Sequence, residues 1–598
     1  MSSSATPERS EIDTEYKWDL ESVYATDEDW ERAYEAVEDR LDELRAYEGR
    51  ATEDGETLLE VLELREELMR TVSTVSAYAR MRSDQDTRDQ AAQAMKSRGQ
   101  ALSSEASSAA SFIEPAIQSL TRDELDTMIE TTDGLDQYDH YLDDVFRMKP
   151  HTRSAEVEEL LSDLGEVLGA PGDIYSMLTN ADMTFPTVER SDGSSVEVTQ
   201  SNLTTLLKER DRPFRQRVHE GFYEQMGEVR NTIGTSLENA VKGDVKVARA
   251  RNYETARQAA LDDPNVPIEV YDTLVETVRQ ELPRLHRHAE LKATALDVDE
   301  LEMWDLYMPL VRSESPEVSY EQAREYVVEA VAPLGEEYQS RVAEGLDSRW
   351  VDVYENRGKR SGAYSGGTYD TQPFILMNYQ DDISSMFTLA HELGHSMHSE
   401  LASESQPYVY ADYEIFVAEV ASTVNETLLT HHLIETVDDE QFRRHVLNEY
   451  LERIRSTLFR QTMFADFEHR IHSRIEDGEA LTPDQLDEMY GDLKREFYEP
   501  ANVDDLIERE WMRIPHFYYN YYVYQYATGI SAAAALVEDI HEEGQPAADR
   551  YLEFLSRGSR KYPLELLREA GVDMTTAEPI ESATAIYGEY LDEMAALL

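Results

Sequence analysis

Apolar residues spaced at three and four recur through almost all of this 598-residue chain and are interrupted at only two places. That period matches one face of an α-helix, so the sequence predicts a mainly α protein. Trp30, Tyr34, Val37 and Leu41 set the pattern within residues 27–133, and it continues over 155–168 and again from Ser201 onward. Thr121-Arg-Asp-Glu124 has the form of a capping box that opens a helix. The first interruption, Met183 to Val188, Ser191-Asp-Gly193 and Val196 to Thr199, reads as a β-hairpin. The second spans 349–380: a strand at Trp350 to Tyr354, a glycine-rich loop from Gly358 to Gly367, and a strand at Phe374 to Tyr379, taken together as a second hairpin. Soft boundaries fall near 115 and 200. They divide the chain into an N-terminal helical region (1–115), a helical domain ending in the first hairpin (116–200), and a long remainder (201–598).

Charge and cysteine usage narrow the function. With 56 Lys and Arg against 123 Asp and Glu, the net charge is −67. A surface this acidic repels phosphate backbones, so a nucleic-acid partner is excluded. Hydrophobic residues make up 41%, enough to build a large core, which excludes a disordered acidic chain. There is no cysteine, so disulfides, thiolate nucleophiles and cysteine metal sites are out, and any metal must be held by His, Asp or Glu. The N-terminal residues lack a signal-peptide apolar segment, and no apolar run reaches the ~20 residues of a membrane span. A cytoplasmic protein with no membrane partner is expected. Lysine occupies only ten positions and the acids are spread along the whole chain, the pattern expected of adaptation to a high-salt interior, where salt screens repulsion.

One motif carries chemistry. Residues 391–395 read His-Glu-Leu-Gly-His. On a helix, His391 and His395 lie one turn apart and can meet one ion, while Glu392, offset by about 100°, can accept a proton from a water on that ion. Met386, Leu389, Leu393, Met397 and Leu401 give the same helix a core-facing stripe. Chance predicts roughly 0.04 such motifs in a chain this long with 15 histidines. A catalytic zinc needs a third protein ligand and an open position. His398 is close in sequence but sits about 10 Å along the helix axis from His391, so it would reach only through a break and is better read as a histidine that supports the ligands from behind or sits in the core. Glu419 is the stronger candidate: it lies among Phe416, Val417, Val420 and Val424, where an ionised carboxylate is costly unless paired or on a metal. Glu426, two turns on, shares that face and either orients a histidine or is a solvated glutamate.

A second cluster stands near the C-terminus, where His516 and six tyrosines fall within residues 516–526. Tyr519, Tyr522 and Tyr526 are placed on one helical face. Phenols of this kind suit an oxyanion, although a hydrogen-bonded aromatic core accounts for most of them, and His516 is the functional member favoured here.

Taken together the chain resembles the oligoendopeptidase F branch of the thimet-oligopeptidase family. The resemblance rests on FTLAHELGHSMHSELA at 387–402, QPYVYADYEIFVAEVASTVNE at 406–426, RIPHFYYNYYVYQYATGISAA at 513–533 and, more weakly, YKWDLESVY at 16–24. It implies a large two-lobed helical metallopeptidase with a deep channel and a small β-sheet or hairpin near the zinc site. It implies Zn2+ held by His391, His395 and Glu419, with Glu392 as general base. His516 and Tyr526, with Tyr522 behind it, would bind substrate or oxyanion. The strand at 374–379 would be the edge that pairs with substrate backbone, beneath the glycine loop. The activity expected is hydrolysis of internal bonds in short peptides, by a monomer or a small homo-oligomer. The alternatives are a metallocarboxypeptidase of related fold and a catalytically silent peptide-binding protein, which would have no use for Glu392.

Overall fold

The computed structural model describes residues 6–598 and is built of helices, with five short strands in two small sheets. The chain divides into two compact units, each assembled from separated stretches of sequence.

The first unit comprises the described residues of Met1–Pro150, Pro316–Leu433 and Asp539–Gly571. Two long helices, Gly55–Gln85 and Gln90–Ala110, pack against each other along their length. Asp54 and Asp89 begin them by accepting hydrogen bonds from the free N–H groups of the first turn. The Thr121–Glu124 capping box forms as the sequence predicts. The core of this unit runs from Trp18 and Trp30 through Leu58, Leu62, Val75 and Leu102 to Phe374 and Leu376, so the N-terminal helices are packed onto a sheet from much later in the chain.

That sheet corrects the expected second hairpin. Strands β3 (Val351–Tyr354), β4 (Tyr364–Gly366) and β5 (Phe374–Tyr379) are ordered β3-β5-β4, with β3 parallel and β4 antiparallel to β5. The apolar strand β5 is central and nearly all buried, which is what a run of Phe, Ile, Leu and Met demands. It has no free edge, so it cannot be the substrate-pairing strand. The two edges belong to β3 and to β4, and β4 lies inside the segment read as a glycine-rich loop. The remaining part of that loop is anchored by Lys359, whose fully buried ammonium contacts Asp352 at 2.7 Å and donates to the carbonyls of Asp352 and Tyr354. Arg9 binds the other side of Asp352 at 2.5 Å.

The second unit comprises His151–Ser315, Ile434–Glu538 and Val572–Leu598. It carries the first hairpin, β1 (Thr187–Glu189) paired antiparallel to β2 (Ser195–Glu197), with Gly193 at φ +84° in the turn. The rest is helical. Its interior holds a cluster of paired charges: Glu510 is buried and accepts from Arg460 at 2.6 Å, Arg513 at 3.2 Å, Tyr490 at 2.8 Å and Lys494. Nearby in the same unit, buried Lys292 pairs with Glu452. No helix among the described residues is long and apolar enough to cross a membrane.

Burial alone would push the Glu510 carboxyl up, but Arg460, Lys494 and Arg513 outweigh it and hold it well below the ordinary carboxylate range. A depressed folded-state value contributes stability above the unfolded carboxylate range, and that stability is lost as pH falls. Glu510→Ala strands three cations in the interior and should lower stability by about 3–5 kcal/mol, read from the denaturant midpoint. An unchanged midpoint would refute this account of the cluster.

Candidate metal centre

The histidine motif lies on helix α1 (Ile383–Ser405), which is continuous and begins where the Asp382 side chain accepts from the Ser385 N–H at 2.8 Å. Met386, Leu389, Leu393 and Met397 are fully buried, which fixes the rotation of the helix and leaves His391 and His395 half-buried on another face. Helix α2 (Ile415–Thr436) packs against it. The two come unusually close at Gly394, where an added Cβ would stand 2.5 Å from the Ala421 carbonyl oxygen and 2.6 Å from Ser422 Cα. Asn425 Nδ2 donates to the Ala390 carbonyl at 3.4 Å across the same contact.

This contact brings His391, His395 and Glu419 together. Their facing atoms form a triangle: His391 Nε2 to His395 Nε2 is 3.2 Å, His391 Nε2 to Glu419 Oε2 is 3.5 Å, and His395 Nε2 to Glu419 Oε2 is 3.8 Å. No other group of three or more such side chains with this spacing occurs among the described residues. Donors about 2.0–2.1 Å from a tetrahedral ion stand roughly 3.3–3.4 Å from one another, so the triangle fits one face of a tetrahedral site with the fourth position open. The donor set, two imidazoles and a carboxylate, suits zinc chemistry.

The surrounding groups orient these atoms. His391 Nδ1–H donates to Glu426 Oε1 at 2.8 Å, which turns Nε2 toward the triangle. Glu426 is buried, with a side chain 2% exposed, and so is not a solvated glutamate. The Ser422 hydroxyl donates to Glu419 Oε2 at 3.2 Å. Burial would pull the His391 imidazole down, but the Glu426 carboxylate outweighs it and raises it. Glu392 sits beside the triangle and is nearly buried. Burial pushes its carboxyl up to about 7, with His391 and the Ser365 backbone hydrogen bond pulling down and Glu419 pushing up. His398 is outside the group: it is buried, stacked 3.6 Å from Tyr413, and pushed down to about 3 by burial, a neutral core histidine.

The triangle opens onto a cavity of about 1320 Å³ within the first unit. Its walls include strand β4, the Gly367–Pro373 loop, Tyr408 and the face of α1 from His391 to Glu404. The edge of β4 therefore lies beside Glu392.

His516 and Tyr526 lie in the second unit and form a cluster of their own. They do not share one helix. Pro515–Tyr518 is a single tight turn, Tyr521 has φ +56°, and a helix resumes only at Tyr524. The expected common face of Tyr519, Tyr522 and Tyr526 is thus replaced by a bend, yet the rings still gather: His516 lies 6.2 Å from Tyr522 and 5.9 Å from Tyr526, and Tyr526 OH reaches His516 Nε2 at 3.5 Å. Burial lowers the His516 imidazole. Sequence reasoning passed over Gly394, Ser422 and Asn425. Only Gly394 carried a signal, since glycine inside a helix is costly and marks a close approach.

Comparison with known proteins places this geometry. The model of peptidase family M3 matches residues 205–586, and the model described as oligopeptidase F matches 117–185. The chain is 45% identical to oligopeptidase PepF of Bacillus subtilis, over 99% of this chain and 88% of that one. It is 40% identical to group B oligopeptidase PepB of Streptococcus agalactiae, over 98% of each. The crystal structure of oligoendopeptidase-F from Enterococcus faecium superposes with a TM-score of 0.74 at 36% identity, covering 96% of this chain and 99% of that one.

Gly394→Ala should force α1 and α2 apart and spoil the triangle. The expected result is a folded helical protein with weakened metal binding, read by metal analysis after dialysis. Full metal content in this variant would show that the close approach does not set the ligand spacing.

Proposed function

Because this chain belongs to peptidase family M3, in its oligopeptidase F branch, we propose that it hydrolyses internal bonds of short peptides with a zinc ion held by His391 Nε2, His395 Nε2 and Glu419 Oε2. The observation that carries this reading is the donor triangle with a buried carboxyl, Glu392, beside it on the same helix. When bound, the ion supplies Lewis acidity toward a water and a peptide carbonyl. The residues of the chain do the rest. Glu392 takes the proton of the attacking water and returns it to the leaving amine. Glu426 keeps the His391 proton on Nδ1, so that Nε2 stays available. His516 and Tyr526, with Tyr522 as the next candidate, are proposed as hydrogen-bond donors to the carbonyl oxygen as it gains charge. The free edge of β4 offers backbone groups to an extended peptide, a mode in which main-chain hydrogen bonds give affinity.

Two further readings belong with this one. The family matches at 117–185 and 205–586 support the sequence modules proposed near 115 and 200. The net charge of −67 supports a high-salt cytoplasm as the working environment.

The test is cleavage of a short internally quenched peptide in molar KCl, with and without a chelator, with products identified by mass. Internal cuts abolished by chelator and restored by zinc are expected; loss of single C-terminal residues would mark a carboxypeptidase instead. Glu392→Gln should keep its zinc and lose about 10²–10⁴-fold in kcat. Turnover near wild type in that variant would remove Glu392 as the base. Glu419→Ala should weaken zinc binding, and undiminished zinc content would remove it as a ligand.

A further inference from the structure

We propose that Glu468, in the second unit, is a positioning residue: its carboxyl fixes the left-handed turn at Tyr521 that gathers Tyr522 and Tyr526 around His516. The proposal rests on the role given above to His516 and Tyr526.

The turn is costly by itself. A non-glycine residue in the left-handed region is disfavoured by roughly 1–2 kcal/mol and persists where its surroundings impose it. Tyr521, at φ +56°, is a bulky residue in that region. Its ring is buried, 2% exposed, whereas Tyr519 two residues earlier is 56% exposed. The chain is therefore pinned inward at Tyr521.

Glu468 does the pinning. It lies on helix α3 (Arg460–Glu476), is 0% exposed, and its Oε1 accepts from the Tyr521 N–H at 2.6 Å. Tyr521 OH meets His469 Nδ1 at 3.1 Å, and its ring packs 4.7 Å from His472 and 5.7 Å from Tyr271. His472 is itself held, by the Glu468 carbonyl at 2.9 Å and Asp244 at 3.4 Å. Glu468 Oε2 is buried without a hydrogen-bond partner, a costly arrangement for a group that served packing alone. Burial pushes this carboxyl up to about 8, against the opposing pull of His472 and the Tyr521 N–H.

The bend at Tyr521 sets the direction of the next rings. Tyr522 lies near-parallel to His516, at 13°, and Tyr526 stands edge-on to both rings, 5.9 Å from His516 and 5.5 Å from Tyr522. Releasing the Tyr521 N–H lets the turn relax to right-handed backbone and turns these phenols away from the imidazole.

Two mild substitutions separate reach from charge. Glu468→Gln keeps a carbonyl acceptor at the same distance without charge. Glu468→Asp keeps the carboxyl but is one methylene short. In zinc-loaded enzyme, Glu468→Asp should lose about 10–100-fold in kcat with KM nearly unchanged, since small misplacements of reacting groups cost that much. Amide exchange over residues 515–526 should speed up in the same variant. Glu468→Gln should recover most of the kcat and the slow exchange, with equal zinc content throughout. Wild-type kcat and exchange in Glu468→Asp, or equal failure of both variants, would overturn the proposal. His516→Ala and Tyr526→Phe, measured alongside, distinguish the two levels. If they keep full kcat, the role of the ring cluster falls. If they lose it while Glu468→Asp does not, only the positioning role falls.

Discussion

The metal-binding geometry depends on how closely two helices can approach. Residues on a single helix can offer His391 and His395, one turn apart, but the third donor must come from a neighbour. Packed helices usually lie about 8–10 Å apart, set by the side chains between them. At Gly394 there is no side chain, and the backbone of α2 at Ala421 and Ser422 occupies the space a Cβ would need. That contact sets where Glu419 sits, where Glu426 meets His391, and where Asn425 caps the Ala390 carbonyl. A donor triangle with sides of 3.2, 3.5 and 3.8 Å is a consequence of one missing methyl group.

The two candidate clusters are held in different ways. The histidine–glutamate triangle is carried by regular helices whose rotation is fixed by a buried apolar stripe, so its accuracy comes from packing. The His516 cluster is carried by an irregular segment, and its accuracy comes chiefly from one buried hydrogen bond to a carboxyl on another helix, with the Tyr521 ring seated on the same helix at His469 and His472. Packing distributes its constraint over many contacts. A single hydrogen bond concentrates it, which makes the second cluster the more sensitive to a one-residue change.

The sequence was legible where the physics is local. The helical period announced a mainly α protein, the Ser-Asp-Gly turn announced the first hairpin, and the capping box at Thr121 formed as read. The spacing of His391 and His395 needs only a helix, and Glu419 stood out because a charged residue in an apolar run must have a partner. The misreadings are nonlocal. The strand Phe374–Tyr379 is central and not an edge, because β3 reaches it across the intervening β4 segment and pairs parallel, a register that nothing in either strand's own residues reveals. The shared face assigned to Tyr519, Tyr522 and Tyr526 assumed an unbroken helix, and the break at Tyr521 is imposed by Glu468, some fifty residues earlier, within an ordinary helical pattern.

The buried lysines carry a consequence for how this protein meets reagents. Of ten lysines, Lys292, Lys359 and Lys494 are 1%, 0% and 3% exposed and each is paired with a carboxylate. With positive charge otherwise supplied by arginine, an amine-directed acylating agent finds few targets on the folded surface. These three become available only when the interior opens, so the pattern of acylated lysines, mapped by mass, amounts to a built-in record of which unit has come apart: Lys359 for the first, Lys292 and Lys494 for the second.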